Sequence, residues 1–262
     1  MNRIDLTFKK LRSAKKKAFI AFITAGDPSL KATEELALAF ERSGVNILEL
    51  GVPFSDPMAD GPTIQAASFR ALKRGVTLRK ILSTVRSIRE RSRMPIALMT
   101  YYNPVFHFGE EKFVRAAKEA GVDGLIIPDL PVDEAGTLCR HAKAADIATI
   151  FFLAPTTAKE RMPAIVRAST GFIYFVSGGG VTGAKRAVPD VHRCFRVAKT
   201  STKMPIFDGL GVADARQVRS MGCHADCVIG GSAIVKEVDR NADRPDMAAR
   251  VSGFVKNLSA AL

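Results

Sequence analysis

The sequence predicts an α/β protein built as a single (β/α)8 TIM barrel across residues 1–262. Three observations carry this: short apolar runs rich in β-branched and aromatic residues occur eight times, longer stretches with helical spacing separate them, and no linker rich in proline, glycine or serine divides the chain. At 262 residues and 47% hydrophobic, the chain has the length and apolar content of one such barrel.

The runs are "AFIAFITAG" (18–26), "NILELG" (46–51), "PIALMTYY" (95–102), "GLIIPD" (124–129), "IATIFFLA" (147–154), "GFIYFVS" (171–177), "MPIFDG" (204–209) and "ADCVIGG" (225–231). Each is short and almost continuously apolar, as a parallel strand covered on both faces must be. Helices follow from their punctuation. "SLKATEELALAFERSG" starts at a Ser29 cap and stops at Gly44, "GEEKFVRAAKEAG" stops at Gly121, and "VADARQVRSMG" stops at Gly222, each glycine read as a left-handed C-terminal position. Residues 243–262 read as the closing helix.

Composition narrows the functional classes. No run of 18 apolar residues occurs, and the basic N-terminus "MNRIDLTFKKLRSAKKK" has no apolar stretch of the kind a secretory signal needs, so a cytoplasmic protein without membrane contact is expected. Cys139, Cys194, Cys223 and Cys227 contain no C-x-x-C pair and read as reduced, buried thiols. His224 between Cys223 and Cys227 lacks the second pair that a structural zinc site normally has, so no metal is expected. The net charge of +13 is dispersed, lying in "KKLRSAKKK" near the start and in residues 70–93, where cations alternate with leucine, isoleucine and valine at helical spacing. That pattern reads as solvated helix faces rather than a nucleic-acid groove, which would interleave aromatic side chains.

In a barrel of this kind the chemistry lies at the C-terminal ends of the strands. Polar residues there are Asp27, Glu49, Asp56, Asp60, Asn103, Asp129, Thr156, Ser177, Asp208 and Ser232. Glu49 stands out because it lies inside an apolar strand, on the opposite face from Leu48 and Leu50. It is either a carboxylate satisfied by a neighbouring lysine or backbone donors, or a general acid or base with a raised pKa, and its position favours the second. The loop that follows, "GVPFSDPMADGPTIQ", is stiffened by three prolines and holds Asp56 and Asp60 as acid-base partners or as turn caps. "FDGLGVADA" and "IGGSAIV" place glycines between the last two strands and their helices, where backbone N–H groups bind phosphate; Ser232 adds a hydroxyl. "FVSGGGVTG" matches G-x-G-x-x-G through Gly178, Gly180 and Gly183, but it follows the sixth strand instead of opening a first βαβ unit, and Pro189 interrupts the next helix.

"LELGVPFSDPMADGPTIQ" (48–65) closely resembles the signature of the tryptophan synthase α chain family. The resemblance extends through "FITAGDP", "YYNPVF", "PDLPVDE", "GFIYFVS" with "GVTG", and "GSAIV". It implies a lyase that splits indole-3-glycerol phosphate into indole and glyceraldehyde 3-phosphate. It also implies an α2β2 complex with a β chain that carries pyridoxal phosphate, and no cofactor in this chain. By resemblance Glu49 moves protons, Asp60 accepts the indole N–H, and Tyr174 touches the reacting groups. Phe22, Tyr101, Tyr174 and Leu210 line an indole pocket, while Gly183, Gly211, Gly231 and Ser232 form a phosphate cradle. Pro53, Asp56, Asn103 and Asp129 face the β chain. Two departures from the family pattern are Leu210, where phenylalanine is usual, and Gly178-Gly179, which loosen a lid segment. A lid loosened in this way is expected to make the isolated chain slow and dependent on its partner.

Overall fold

The computed structural model describes residues 1–176, 191–208 and 212–262. Its strands are β1 (Ala18–Thr24), β2 (Ile47–Gly51), β3 (Ile96–Met99), β4 (Gly124–Ile126), β5 (Ala148–Ile150), β6 (Phe152–Leu153), β7 (Ile173–Phe175), β8 (Ile206–Asp208) and β9 (Cys227–Gly230). All pair in parallel, in the order β5-β4-β3-β2-β1-β9-β8-β7-β6. β5 and β6 are two halves of the single predicted run 147–154, parted at Phe151. The first half bonds to β4 and the second to β7. The run therefore acts as one barrel strand whose two neighbours are staggered, as tilted strands require, and the eight predicted runs form the (β/α)8 TIM barrel.

Alternation along the strands sorts the core into two shells. Ile20, Phe22, Ile47, Ala97, Ile126, Ile150, Phe207 and Ile229 pack together in the lumen. Phe19, Ala21, Ile23, Leu48, Leu50, Ile96 and Leu98 pack outward against the helices.

Local chemistry sets most helix ends. Ser29 caps α2 (Leu30–Arg42) through the Ala32 N–H at 3.0 Å, and Gly44 follows with φ +87°. Gly121, at φ +93°, ends α6 (Glu110–Ala120) in the left-handed conformation expected of it. Gly222 differs. It is the last residue of α10 (Ala215–Gly222), has no positive φ, and packs against the end of the Leu262 side chain, whose Cδ2 would lie 2.7 Å from a Cβ there. The closing helix α12 (Met247–Ser259) is shorter than 243–262, because turns occupy the residues before it. The third run also ends early, at Met99. Tyr101 caps a short helix, α5 (Tyr102–Phe108), whose Pro104 sits in the first turn where proline is tolerated.

The basic N-terminus is a structural plug. It forms α1 (Arg3–Ser13), which is capped by Asn2 and sends Ile4 and Phe8 into the lumen shell. Two arginines of the stretch 70–93 are held in ion pairs rather than simply solvated. Arg70 makes a two-pronged pair with Asp27 at 2.9 and 2.7 Å, and Arg89, 9% exposed, binds Asp123 at 2.6 Å. Helical spacing reports the face of a residue but not a carboxylate waiting on another element. Cys227 is buried as expected, whereas Cys223 is exposed, so the Cys223–His224–Cys227 trio is not gathered inward. Among the described residues no helix is long and apolar enough to cross a membrane.

Candidate active site

β2 delivers Glu49 to the lumen face beside Phe22, its register partner on β1. The carboxyl is 1% exposed, and its Oε2 has no hydrogen-bond partner among the described residues. Burial, reinforced by the neighbouring charge of Asp60, raises its pKa from 4.5 to about 8. Among the described residues no lysine or backbone donor satisfies Glu49 Oε2, so the reading of a fully satisfied carboxylate finds no support there. Among the described residues Thr24, at the end of β1, is the other buried side chain with an orphan oxygen, and no sequence pattern points to it.

The loop after β2 brings Asp60 over the same end of the barrel. Tyr101, at the end of the third run, donates from its hydroxyl to Asp60 Oδ2 at 3.0 Å and accepts the Ala59 N–H at 2.9 Å. Its ring stacks on Phe54 at 5.1 Å between centroids. Gln65, in the first turns of α3 (Pro62–Lys73), donates to the Asp60 carbonyl at 2.9 Å. Burial raises the pKa of Asp60 while the Tyr101 bond lowers it, and burial is the larger effect. The family resemblance places Tyr101 only in the pocket wall; its clamp on Asp60 joins residues 41 positions apart.

Tyr174, from β7, packs between Phe152 at 4.9 Å and Phe207 at 4.4 Å. Its phenol pKa is raised by burial first and then by Glu49 and Asp60, which places it in their electrostatic neighbourhood. Phe22 forms the facing apolar surface, tight enough that a Cβ on Gly51 would lie 2.6 Å from its Cζ. Gly51→Ala is therefore expected to displace Phe22, costing about 1–3 kcal/mol of stability and raising KM more than it lowers kcat. Urea unfolding and steady-state kinetics on one preparation check both.

Gly231 precedes α11 (Ser232–Arg240), and no side chain caps that helix. Its first N–H groups and the Ser232 hydroxyl thus stand at the barrel end expected of a phosphate cradle. Gly183, Leu210 and Gly211, along with Ser177 and the pair Gly178-Gly179, lie outside the described residues. Asp56, Asn103 and Asp129 are exposed, while Pro53 is buried. Asp129 accepts the Tyr102 N–H at 2.8 and 3.1 Å, and Ser55 donates to Asp56 at 2.5 Å. Asp27 is taken up by Arg70, and Thr156 is exposed.

A barrel with a buried carboxyl in β2, one of whose oxygens has no partner among the described residues, and a second carboxyl clamped above it agrees with known proteins over its whole length. A family model described as tryptophan synthase alpha chain matches residues 8–262. The chain belongs to the tryptophan synthase alpha chain family. It is 46% identical over 263 residues to the tryptophan synthase alpha chain of Geotalea daltonii, covering 100% of this chain and 99% of that one. The crystal structure of tryptophan synthase subunit alpha from Legionella pneumophila superposes with a TM-score of 0.92 at 35% identity, covering 100% and 98% of the two chains. A chain of the tryptophan synthase complex from Pyrococcus furiosus gives 0.84 at 36% identity, covering 93% and 98%. As a tryptophan synthase alpha chain, the protein is a lyase subunit that cleaves indole-3-glycerol phosphate in tryptophan biosynthesis.

Proposed function

We propose that Glu49 carries both proton transfers of this cleavage, within one barrel domain spanning residues 1–262. The observation that supports this is a fully buried carboxyl whose Oε2 has no partner and whose pKa is about 8. At neutral pH the group is mostly protonated. It donates to indole carbon 3, leaving positive charge shared with the ring nitrogen. The bond from carbon 3 to the side chain then breaks, its electron pair returning to the ring. Glu49, now a carboxylate, takes the proton of the adjacent hydroxyl, so the side chain leaves as an aldehyde and the enzyme is restored.

Asp60 accepts the ring N–H and stabilises the cationic tautomer, a charge present only along the reaction path. Phe22, Tyr101, Tyr174 and Leu210 hold the flat ring, and Tyr174 also contacts the reacting groups. Gly183, Gly211, Gly231 and Ser232 hold the phosphate. The chain needs no cofactor of its own and works in the cytoplasm. Its partner is a β chain carrying pyridoxal phosphate, in an α2β2 assembly that docks on Pro53, Asp56, Asn103 and Asp129. The exposure of the last three supports that surface, and the Pyrococcus relative comes from a complex.

Indole release from indole-3-glycerol phosphate, with and without a β chain, tests this reading. Indole is expected in both arms and faster with the partner; equal rates would remove the lid argument, and no indole in either arm would remove the assignment. Tyr101→Phe is expected to lower kcat/KM about tenfold, because it removes two hydrogen bonds worth about 0.5–1.5 kcal/mol each that position Asp60. A loss confined to kcat identifies Tyr101 as holding Asp60 for the charged species, while a loss confined to KM returns it to the pocket wall.

A further inference from the structure

Most of the positive charge at the start of the chain takes no part in the lyase site. α1 ends in a turn where Lys15 adopts φ +54°, held by the Lys16 N–H bond to the Leu11 carbonyl at 2.8 Å. This is backbone territory that favours glycine, and a lysine occupies it. The chain then runs into β1, so the turn lies at the N-terminal end of the barrel, opposite Glu49 and Asp60. A cavity of about 680 Å3 opens there between α1, the end of α12 and the segments entering β2 and β3. Lys10, Lys16, Lys17 and Arg93 line it, and among the described residues Glu41 is its only acidic side chain.

Elsewhere, many cations are compensated: Arg3, Arg70, Arg89, Arg91, Arg161, Lys199 and Arg250 all make ion pairs. Among the described residues Lys10, Lys15, Lys16, Lys17 and Arg93 make none. Glu41 accepts the Arg93 backbone N–H at 3.3 Å, and among the described residues the guanidinium of Arg93 makes no ion pair with it. A smaller adjoining hollow of about 200 Å3 shares Lys16 and Lys17 and adds Arg12 and Lys15. Its one carboxylate, Asp226, is already paired with Lys199. Like charges gathered around a concavity repel one another, and a multivalent anion relieves them.

We propose that this basal cavity binds an oligophosphate, either a free polyphosphate or the phosphate tail of a nucleotide. Several cations arranged around one concavity suit an anion with several charged groups better than a single phosphate. No aromatic side chain lines the larger cavity, so it lacks the stacking platform of a single-stranded nucleic-acid site. Its volume falls in the range of small-molecule sites.

Titration calorimetry of the full chain with inorganic tripolyphosphate tests this, in excess glycerol 3-phosphate to fill the catalytic phosphate cradle. One-to-one binding that weakens steeply with added salt is expected. Lys16→Gln, Lys17→Gln and Arg93→Gln combined should weaken it about tenfold or more while leaving lyase turnover unchanged. Glu41→Gln should tighten it, an opposite sign that misfolding would not produce. A nucleoside triphosphate binding as tightly as tripolyphosphate assigns the phosphate tail, and weaker binding assigns free polyphosphate. Equal affinity in the triple variant, competition by glycerol 3-phosphate, or tighter binding to a DNA duplex than to tripolyphosphate would each overturn the proposal.

Discussion

Replacing Glu49 with glutamine is expected to lower indole formation by about a thousandfold, within the range that general acid–base groups contribute. Glutamine keeps the shape and can donate a hydrogen bond, but it neither gives up a proton to carbon 3 nor takes one from the hydroxyl. In the wild-type chain the donor form is lost as pH rises through about 8, so kcat/KM should fall above that value, and the fall should vanish from the residual rate of the variant. The same group should also make the wild-type chain less stable as pH rises. Because the folded-state pKa of about 8 lies above the ordinary 4.5, the folded chain holds more proton than the unfolded one between those values. This contribution is complete below 4.5 and is lost as pH rises towards 8. Glu49→Gln removes that slope, so the variant should be more stable than wild type at pH 9, by a larger margin than at pH 5. Turnover within tenfold of wild type would transfer the proton chemistry to another residue.

Asp123→Ala is expected to cost about 3–5 kcal/mol of stability, the loss typical when one partner of a buried ion pair is removed. Asp123 lies at the N-terminal end of β4 and is 2% exposed. One oxygen accepts from Arg3 at 2.8 Å; the other accepts from Arg89 at 2.6 Å and from the Ile96 N–H at 2.9 Å. Arg89 cannot turn to water, because it also donates to the Gly121 carbonyl at 2.7 Å. Burial lowers its pKa to about 10 even though Asp123 opposes the shift, so its charge depends on that partner. Arg3→Ala, at a position 35% exposed, should cost far less. Urea unfolding of the three chains gives the comparison, and a loss below 1 kcal/mol for Asp123→Ala would mean that water replaces the carboxylate.

These two residues differ in how visible they are in the sequence. Glu49 is legible because a charge between two leucines in a strand contradicts its surroundings, and the stiff loop after it points to Asp60. The strands are legible for a related reason, since burial on both faces demands unbroken apolar runs. Asp123 gives no such sign. It precedes "GLIIPD" as an ordinary acidic residue, and its partners Arg3 and Arg89 lie 120 and 34 positions away. The plug formed by α1 was hidden by its charge: lysines dominate the composition of the stretch, while its buried face consists of little more than Ile4 and Phe8. Tyr101 was legible as an aromatic at a strand end, but its hydrogen bonds were not.

By itself the sequence determined the alternation of strands and helices, the barrel, a carboxyl in β2 facing away from its flanking leucines, and the family. Each of these depends on periodicity or on a contiguous motif, which a linear string preserves. Tertiary structure alone decided that, among the described residues, Glu49 Oε2 lacks a partner and lysines without ion pairs converge on a cavity at the opposite end, that Tyr101 holds Asp60, and that Asp123 joins Arg3 to Arg89. Desolvation and charge pairing depend on distance in space, and closing a barrel brings together residues that the chain keeps far apart.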